Sequence, residues 1–578
     1  MKEATGPMKM SRKVAALVAV SAVGALALSA CAGESGNKSP KNQLIYGADQ
    51  YPANWNPHTS AGNGTATENA LVQVLPEPFT VTPDFKRQAT ALVTEEPKEI
   101  SQSPFTVEYK INPKANWSDG KPIDVKDFIF SWHTNSAAYK PYREDLGKNA
   151  CASVDSGYEP IKSITGKDNG KTVDVTFTKP YADWRFLFQN MLPAHAIQKS
   201  TAAATCKAFN AGWSGRKVFP YSGGPWKISS VDGTAQTFTE TPNTKYWGPK
   251  PKLSKIIYRT VGTDSSSLVD GLQNNEIQMI YPQPQLDLVD QLKKLNGVHT
   301  EVNYGLQFEH IDFNMTNQDL KNLKVRQAIM MALDRQEIVK KTIGQFDPSG
   351  AKVLGSRVMV PGQPGYEDNT PPQYKKRDVA GAKKLLQQAG YTLSGNKLTK
   401  NGRQVQLTFT TTTNNALRKS TQEIVQNQLA DIGIKVNIKQ YPAETFFGAL
   451  KDQGSLTAGD FDMGLFAWVS SPELNSSNTL AYSCVPGNRR TDGMNNYGLG
   501  CDRKAQRLID EAQSQTDQTQ LEQTWNKIDQ QLWTDVFTIP LYQKATVISY
   551  SDKFKGIGDN TTLYGPFWNS ETWSRSGS

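Results

Sequence analysis

The side chains best suited to chemistry are few and scattered. The five histidines are His58, His133, His195, His299 and His310, and none has a second His or a Cys at metal-ligand spacing. Ser118-Asp119-Gly120-Lys121 and Ser394-Gly395-Asn396-Lys397 match the Ser-x-x-Lys pattern of acyl-transferring serine enzymes. Both are Gly-containing turns rather than helix starts, and no Lys-Thr-Gly segment accompanies them. Gly166-Lys167-Asp168-Asn169-Gly170-Lys171-Thr172 is one residue short of a phosphate-binding loop and lies between strand-like runs, so it reads as a hairpin. No Gly-x-Ser-x-Gly elbow is present. The chain therefore reads as a protein other than an enzyme, with no cofactor or metal expected.

Cysteine is the exception. A basic stretch ends at Lys13, and an uncharged run from Val14 to Ala30 follows, built from Ala, Val, Leu, Gly and Ser. This is the pattern of a secretory signal. A membrane span is the competing reading, since about 17 apolar residues is the short end of a span. Leu28-Ser29-Ala30-Cys31 resembles a bacterial lipobox, which decides for residues 1–30 as signal peptide and Cys31 as the lipidated residue. Residues 31–41, with Gly33-Glu34-Ser35-Gly36-Asn37-Lys38-Ser39-Pro40, read as a flexible tether. Four cysteines remain, an even set in an exported chain. Three pairings are open to them. Cys484–Cys501 and Cys151–Cys206 are favoured because each closes a polar, Gly- or Ala-rich segment; free buried thiols are the alternative.

The elements that would carry any site follow from periodicity. With 578 residues, 37% hydrophobic and 21% charged, the chain is globular and long enough for more than one core. A formal net charge of +9 without a dense Lys/Arg block gives no reason to expect a nucleic-acid partner. Val173 to Phe177 and Phe105 to Ile111 alternate as strands, and Asp124 is placed to cap a helix. Asp378 caps a second helix that stops at Gly390. Gln406 to Thr411, a helix bearing Leu417, Val425 and Leu429, Gly433, and Ile434 to Ile438 spell a βαβ unit. Val325 to Val339 shows apolar residues at helix spacing beside a basic face. The fold class is α/β.

Successive segments resemble one family, the extracytoplasmic solute-binding proteins of dipeptide and oligopeptide ABC importers (solute-binding protein family 5). They are Ala115 to Pro122 with Asp127-Phe128, Ser222 to Trp226, Asn243 to Gly248, Leu272 to Ile277, Asp312-Phe313-Asn314, Val325 to Arg335, Leu429 to Ile434 and Ile539 to Tyr542. The family often has Gly where Asn275 stands. The resemblance implies two α/β lobes of the type II periplasmic-binding-protein kind, with an extra subdomain in the first lobe and a hinge between lobes. It places lobe I at 42–304, lobe II at 305–544 and a return to lobe I at 545–578. It implies a monomer, held to the extracytoplasmic face of the cell membrane by lipid, that hands a peptide to the transmembrane subunits of a permease. An extended peptide would pair as an added strand with Ser60, Ala61, Gly62 and Asn63 on one side and Ala467, Trp468, Val469, Ser470 and Ser471 on the other, with Phe308 and His310 nearby. Oligopeptide-binding relatives carry, three residues after that Trp, an Asp that pairs with the peptide's amine. Ser471 stands there, with Glu473 close, and Leu465 occupies a place that is basic in relatives. A blocked or modified peptide, a metal chelate or an oligosaccharide therefore stays open as ligand. A surface sensor or adhesin, or a lipid-anchored hydrolase, is the reading from another class.

Cys31→Ser is expected to release the protein from the membrane fraction. Mature-length mutant retained in membranes after a high-salt wash contradicts the lipid anchor.

Overall fold

The computed structural model describes residues 42–576 except 53, 60, 61, 63, 137–150, 152–156, 212–218, 263, 449, 451–452 and 492–493. The signal, Cys31 and tether, and three of the four residues expected near the mature N-terminus (Ser60, Ala61 and Asn63), lie outside the described residues. Ten strands form the central sheet: β1 (Gln43–Ala48), β2 (Trp226–Asp232), β3 (Thr237–Pro242), β4 (Lys255–Thr260), β5 (Met279–Ile280), β6 (Val298–Phe313), β7 (Gln406–Thr412), β8 (Lys435–Tyr441), β9 (Met463–Val469) and β10 (Thr538–Ser551). Their spatial order is β8-β7-β9-β6-β10-β5-β1-β4-β3-β2. β7 and β8 run parallel in register from Gln406 opposite Lys435 to Thr412 opposite Tyr441. The helix between them spans Ala416–Ala430 and is capped by Asn415. Gly433, at φ 79°, turns the chain back into β8.

Apolar side chains collect into two main clusters. One takes residues from β1 to β4 and from the last segment, among them Leu44, Trp226, Ile256, Phe567 and Trp573. It also contains Phe105, Val107, Tyr109, Val173 and Val175. These belong to a separate four-stranded antiparallel sheet of Lys98–Gln102, Phe105–Lys110, Thr172–Phe177 and Ile161–Lys167. Asp168 to Gly170 close the hairpin of that sheet with positive φ at all three positions, so the Gly-Lys-Thr stretch is a turn. The second cluster holds Leu407, Phe409, Val425, Leu429, Val436 and Leu465 of the βαβ side. It also takes Leu268, Leu272, Leu288 and Leu292 from helices Ser265–Gln273 and Leu286–Leu292, which precede β6 in the chain.

Asp124 caps helix Val125–Asn135 in a reciprocal capping box with Asp127, and Asp378 caps Val379–Gln388. The expected single helix with a basic face from Val325 to Val339 needs correction. Two helices occur, α1 (Leu323–Ala332) and α2 (Arg335–Lys341), broken at Leu333 because Asp334 leaves helical geometry to accept the Glu337 N–H as a cap. Arg326 and Arg335 are buried, not surface charges: Arg326 donates to the carbonyls of Leu320 and Asp535, Arg335 to those of Leu354 and Pro540. The long strand β10 is tied to the segment before residue 360 in the same way. Arg357 is buried on Asp529 at 3.1 Å, donates to the Thr538 carbonyl and lies 4.0 Å from the Trp533 ring.

Cys151 is joined to Cys206, and Cys484 to Cys501. The second bridge closes a separation of 17 residues, which limits the unfolded chain by about 3 kcal/mol. Cys484→Ser/Cys501→Ser is expected to lower unfolding free energy by about that amount in denaturant titrations; an unchanged midpoint contradicts it.

Candidate functional site

β10 passes from one cluster to the other, with Ile539 to Val547 in the second and Ile548 in the first, and β6 lies beside it with Ile311 and Phe313 in the second. Val298 to Tyr304 pair with β10 from Ser551 to Ala545, and Phe308 to Asp312 pair with Gln543 to Thr538. The register shifts between Tyr304 and Phe308. At that irregularity a side chain on Gly305 would come within 2.2 Å of the Thr561 carbonyl oxygen, so only glycine permits the approach. Gln543 Nε2 donates to the Gly305 carbonyl at 3.0 Å and to the Pro361 carbonyl at 3.2 Å. The crossover is thus pinned to loops from both sides.

β9 lies beside the second half of β6, with Trp468 opposite Phe308 and Phe466 opposite His310. The Trp468 ring is stacked between His310 (centroids 5.5 Å, planes 12° apart) and Tyr497 (5.9 Å, 10°), with Phe466 edge-on at 5.0 Å. Phe308 and His310 are buried, not open beside the Trp468 ring. Neither ring nitrogen of His310 has a hydrogen-bond partner among the described residues, and Asp312 Oδ1 is 3.6 Å from Nε2.

The edge of β9 away from β6 has its own geometry. β7 pairs with β9 only at Met463 and Gly464, and the Leu465 carbonyl accepts from Thr411 Oγ1 at 2.7 Å. Past that point no strand among the described residues pairs with this edge. The Ser470 N–H points the other way, to the Leu306 carbonyl at 2.9 Å. Because backbone groups alternate along a strand, the N–H and C=O of Ala467 and Val469 face the unpaired edge. Val469 is 40% exposed. Gly62, the described member of the other expected segment, is packed so closely that a side chain would meet the Asn56 carbonyl, and its N–H donates to Thr59 O.

A cavity of about 730 Å³ flanks the crossing strands, lined in part by Gln283, Glu309, Asn414, Tyr542 and Lys544. Its charges are largely committed. Arg418 Nη2 is 2.9 Å from Glu309 Oε1, and Arg418 Nη1 donates to Thr412. Lys544 Nζ donates to Gln283 at 2.6 Å, and burial pushes this ammonium below its ordinary range.

Ser471 and Glu473 belong to a different construction. Hairpin Phe79–Val81/Arg87–Ala89 reaches over from the first cluster. Phe85 at its tip, at φ 62°, packs with Leu306, Phe308, Leu354 and Val360. Arg87 donates through Nε and Nη2 to both carboxylate oxygens of Glu473, whose Oε2 also accepts from Ser471 Oγ at 2.7 Å. Burial would raise the Glu473 carboxyl, but the Arg87 charge and hydrogen bonds outweigh it and hold the group below its ordinary value. Around the pair, burial raises Glu77 to about 8, against the opposing pull of Arg87, and raises Asp183 to about 8 with the Glu473 charge adding to it. Gln363 Nε2 donates to the Ser471 carbonyl at 3.3 Å. Ser470 and Ser471 are buried, and Glu473 is bound to Arg87 rather than free for a ligand amine. Arg87, Phe85 and Tyr497 were not identifiable from sequence, since no local pattern marks a residue whose partner is hundreds of positions away.

The arrangement suits holding rather than converting: a strand edge, an aromatic stack, and a cavity whose one buried carboxylate, Glu309, is paired with Arg418. Among the described residues no group of three or more His, Cys, Asp or Glu is placed to hold a metal ion, and no helix is long and apolar enough to cross a membrane. Residues 88–489 match the family of bacterial extracellular solute-binding proteins, family 5 (middle).

The chain belongs to that family.

Its relatives are solute-binding proteins rather than enzymes, and the family is extracytoplasmic. This family 5 protein is 28% identical over 517 residues to the oligopeptide-binding protein OppA of Mycobacterium tuberculosis, covering 88% of this chain and 81% of the relative. It is similar in structure to the periplasmic EDTA-binding protein EppA, with a TM-score of 0.82, 26% identity, and coverage of 93% of this chain and 97% of that one. Its fold is also that of AppA from Bacillus subtilis in complex with a nonapeptide, with a TM-score of 0.72 at 22% identity, covering 92% of this chain and 99% of AppA.

Arg87→Ala is expected to destabilise the family 5 protein by about 3–5 kcal/mol near neutral pH, because it strands a buried carboxylate. The folded carboxyl of Glu473 lies below its ordinary value, so its contribution is complete above about pH 4.5 and is lost as pH falls through the folded value. The gap in melting temperature between wild type and variant should therefore narrow on acidification. A gap independent of pH from about 3 to 7 contradicts the ion pair's role.

Proposed function

We propose that this protein captures an extended peptide between its two lobes and delivers it to the transmembrane subunits of an ABC importer, while held by lipid on Cys31 at the extracytoplasmic face of the membrane. Support comes chiefly from the unpaired edge of β9, where Ala467 and Val469 turn backbone donors and acceptors outward next to Trp468. A peptide added there gains main-chain hydrogen bonds that carry no sequence information. Similarity to oligopeptide-binding OppA agrees with this reading. This reading takes lobe I as 42–304, lobe II as 305–544, a return to lobe I at 545–578, and a monomer.

The α-amine of the peptide is not met by a carboxylate after Trp468. Ser471 replaces the acid of oligopeptide-binding relatives, and Glu473 is engaged by Arg87. Placing an ammonium there without a partner would cost several kcal/mol, so its ligands carry that end in water or blocked. A second reading, an anionic chelate, draws on similarity to EDTA-binding EppA and on Lys341, Lys419 and Lys544 around the cavity of about 730 Å³.

Mass spectrometry of material released from gently denatured protein is expected to find peptides; a single non-peptide chelate supports the second reading. Calorimetry with one such peptide, free and N-acetylated, is expected to give affinities within about tenfold, or 1.4 kcal/mol. A loss of about a hundredfold or more on acetylation overturns the missing amine site.

A further inference from the structure

A second cavity, also of about 730 Å³, lies in the second lobe and shares no lining residue with the one beside the crossing strands. Helix α2 and the turn after it separate the two. Val339, Lys340 and Gly344 line the second cavity, whereas Lys341, Ile343 and Gln345 line the first. The bridge between Val353 and Tyr542 likewise has one residue on each.

The walls of the second cavity carry five basic side chains against two acids. Both acids are already occupied. Asp334 accepts the Glu337 N–H as the α2 cap at 2.9 Å, while Asp368 accepts the Thr370 N–H at 2.9 Å and lies 3.6 Å from Lys375. Arg377 is neutralised by Asp431 at 2.6 Å. Lys340 and Lys352 are exposed and make no ion pair among the described residues.

Arg335 is the unusual member. It is 5% exposed, with no carboxylate partner. Nη1 donates to the carbonyls of Leu354 and Pro540, and the guanidinium lies 5.3 Å from the Trp533 ring. Nε has no hydrogen-bond partner among the described residues. A buried cation held only by carbonyls and a ring is under-compensated. Burial, with the nearby Arg357 charge adding to it, lowers Arg335 to about 9. An anion entering the cavity would lie beside this under-compensated cation and meet the two free ammoniums of Lys340 and Lys352. Leu333, Val339, Pro348 and Val353 supply apolar wall, and the volume is that of a site for a small organic molecule rather than a bare ion.

We propose that this cavity is a second binding site, for a small organic anion bearing phosphoryl or several carboxylate groups, distinct from the solute site between the lobes. Planar guanidinium and paired ammoniums are the groups that recognise such anions.

The test is calorimetric titration of the full-length protein in detergent, at low ionic strength, with inorganic pyrophosphate and with citrate. Binding of at least one with a Kd below about 1 mM is expected. Lys340→Ser/Lys352→Ser changes only exposed side chains and should weaken it at least about tenfold, while binding of a co-purified peptide stays the same. Arg335→Gln should weaken the anion further; where that buried substitution prevents folding, the double variant decides. No binding by about 10 mM, or unaltered binding by the double variant, overturns the proposal. Competition by phosphatidylglycerol vesicles would identify the anion as a lipid headgroup, and lack of competition as a soluble molecule; either supports the site. Failure of the peptide reading leaves these titrations unaffected, so the two conclusions are tested separately.

Discussion

The pairing of β6 with β10 is the constraint on which the rest depends. Two antiparallel strands of 16 and 14 residues pair along almost their whole length, and β10 takes part in both clusters, with Ile539 to Val547 in the second and Ile548 in the first. The first cluster therefore cannot bury Ile548 without fixing a strand that belongs also to the second. The wider of two irregularities in this ladder, between Tyr304 and Phe308, is where the backbone of Gly305 meets Thr561 and where Gln543 bridges to Pro361. Everything assigned to the candidate site lies on or beside the strands that leave this break.

Charge in the same region is arranged in neutral sets. Glu309 with Arg418 and Glu473 with Arg87 are buried pairs, and each has further hydrogen bonds, which is the condition under which low-dielectric ion pairs are tolerated. The Arg87 pair joins the hairpin to the loop after β9, so it is made only when the two lie together. Phe85 on the same hairpin adds an apolar contact to Leu306 and Phe308. A polar and an apolar tie thus act through a single short hairpin.

Much of the framework was legible because it rests on local rules. Asp124, Asp378, Gly390 and Gly433 mark helix ends by capping chemistry, and alternation located the strands from Phe105 and Val173. The break at Leu333–Asp334 was missed because apolar spacing of 3.6 continues across it, while a cap competes only at one residue. At the site, Trp468 and its neighbours were expected from the family resemblance. The roles of Arg87, Phe85 and Tyr497 did not, since each depends on contacts set by the tertiary fold. The burial of Arg326 and Arg335 was hidden for the same reason: a guanidinium reads as surface until its carbonyl partners are known.

The unpaired edge of β9 has a consequence for solubility. A free row of backbone donors and acceptors is a template on which other chains polymerise, and exposed sheets commonly blunt it with lysine, proline or a bulge. Here the edge from Phe466 to Val469 carries none of these. It is short, it is preceded by paired residues, and aromatic side chains stand around it. Its shortness and the aromatic rings crowded beside it, rather than edge-blocking residues, then limit pairing with other chains.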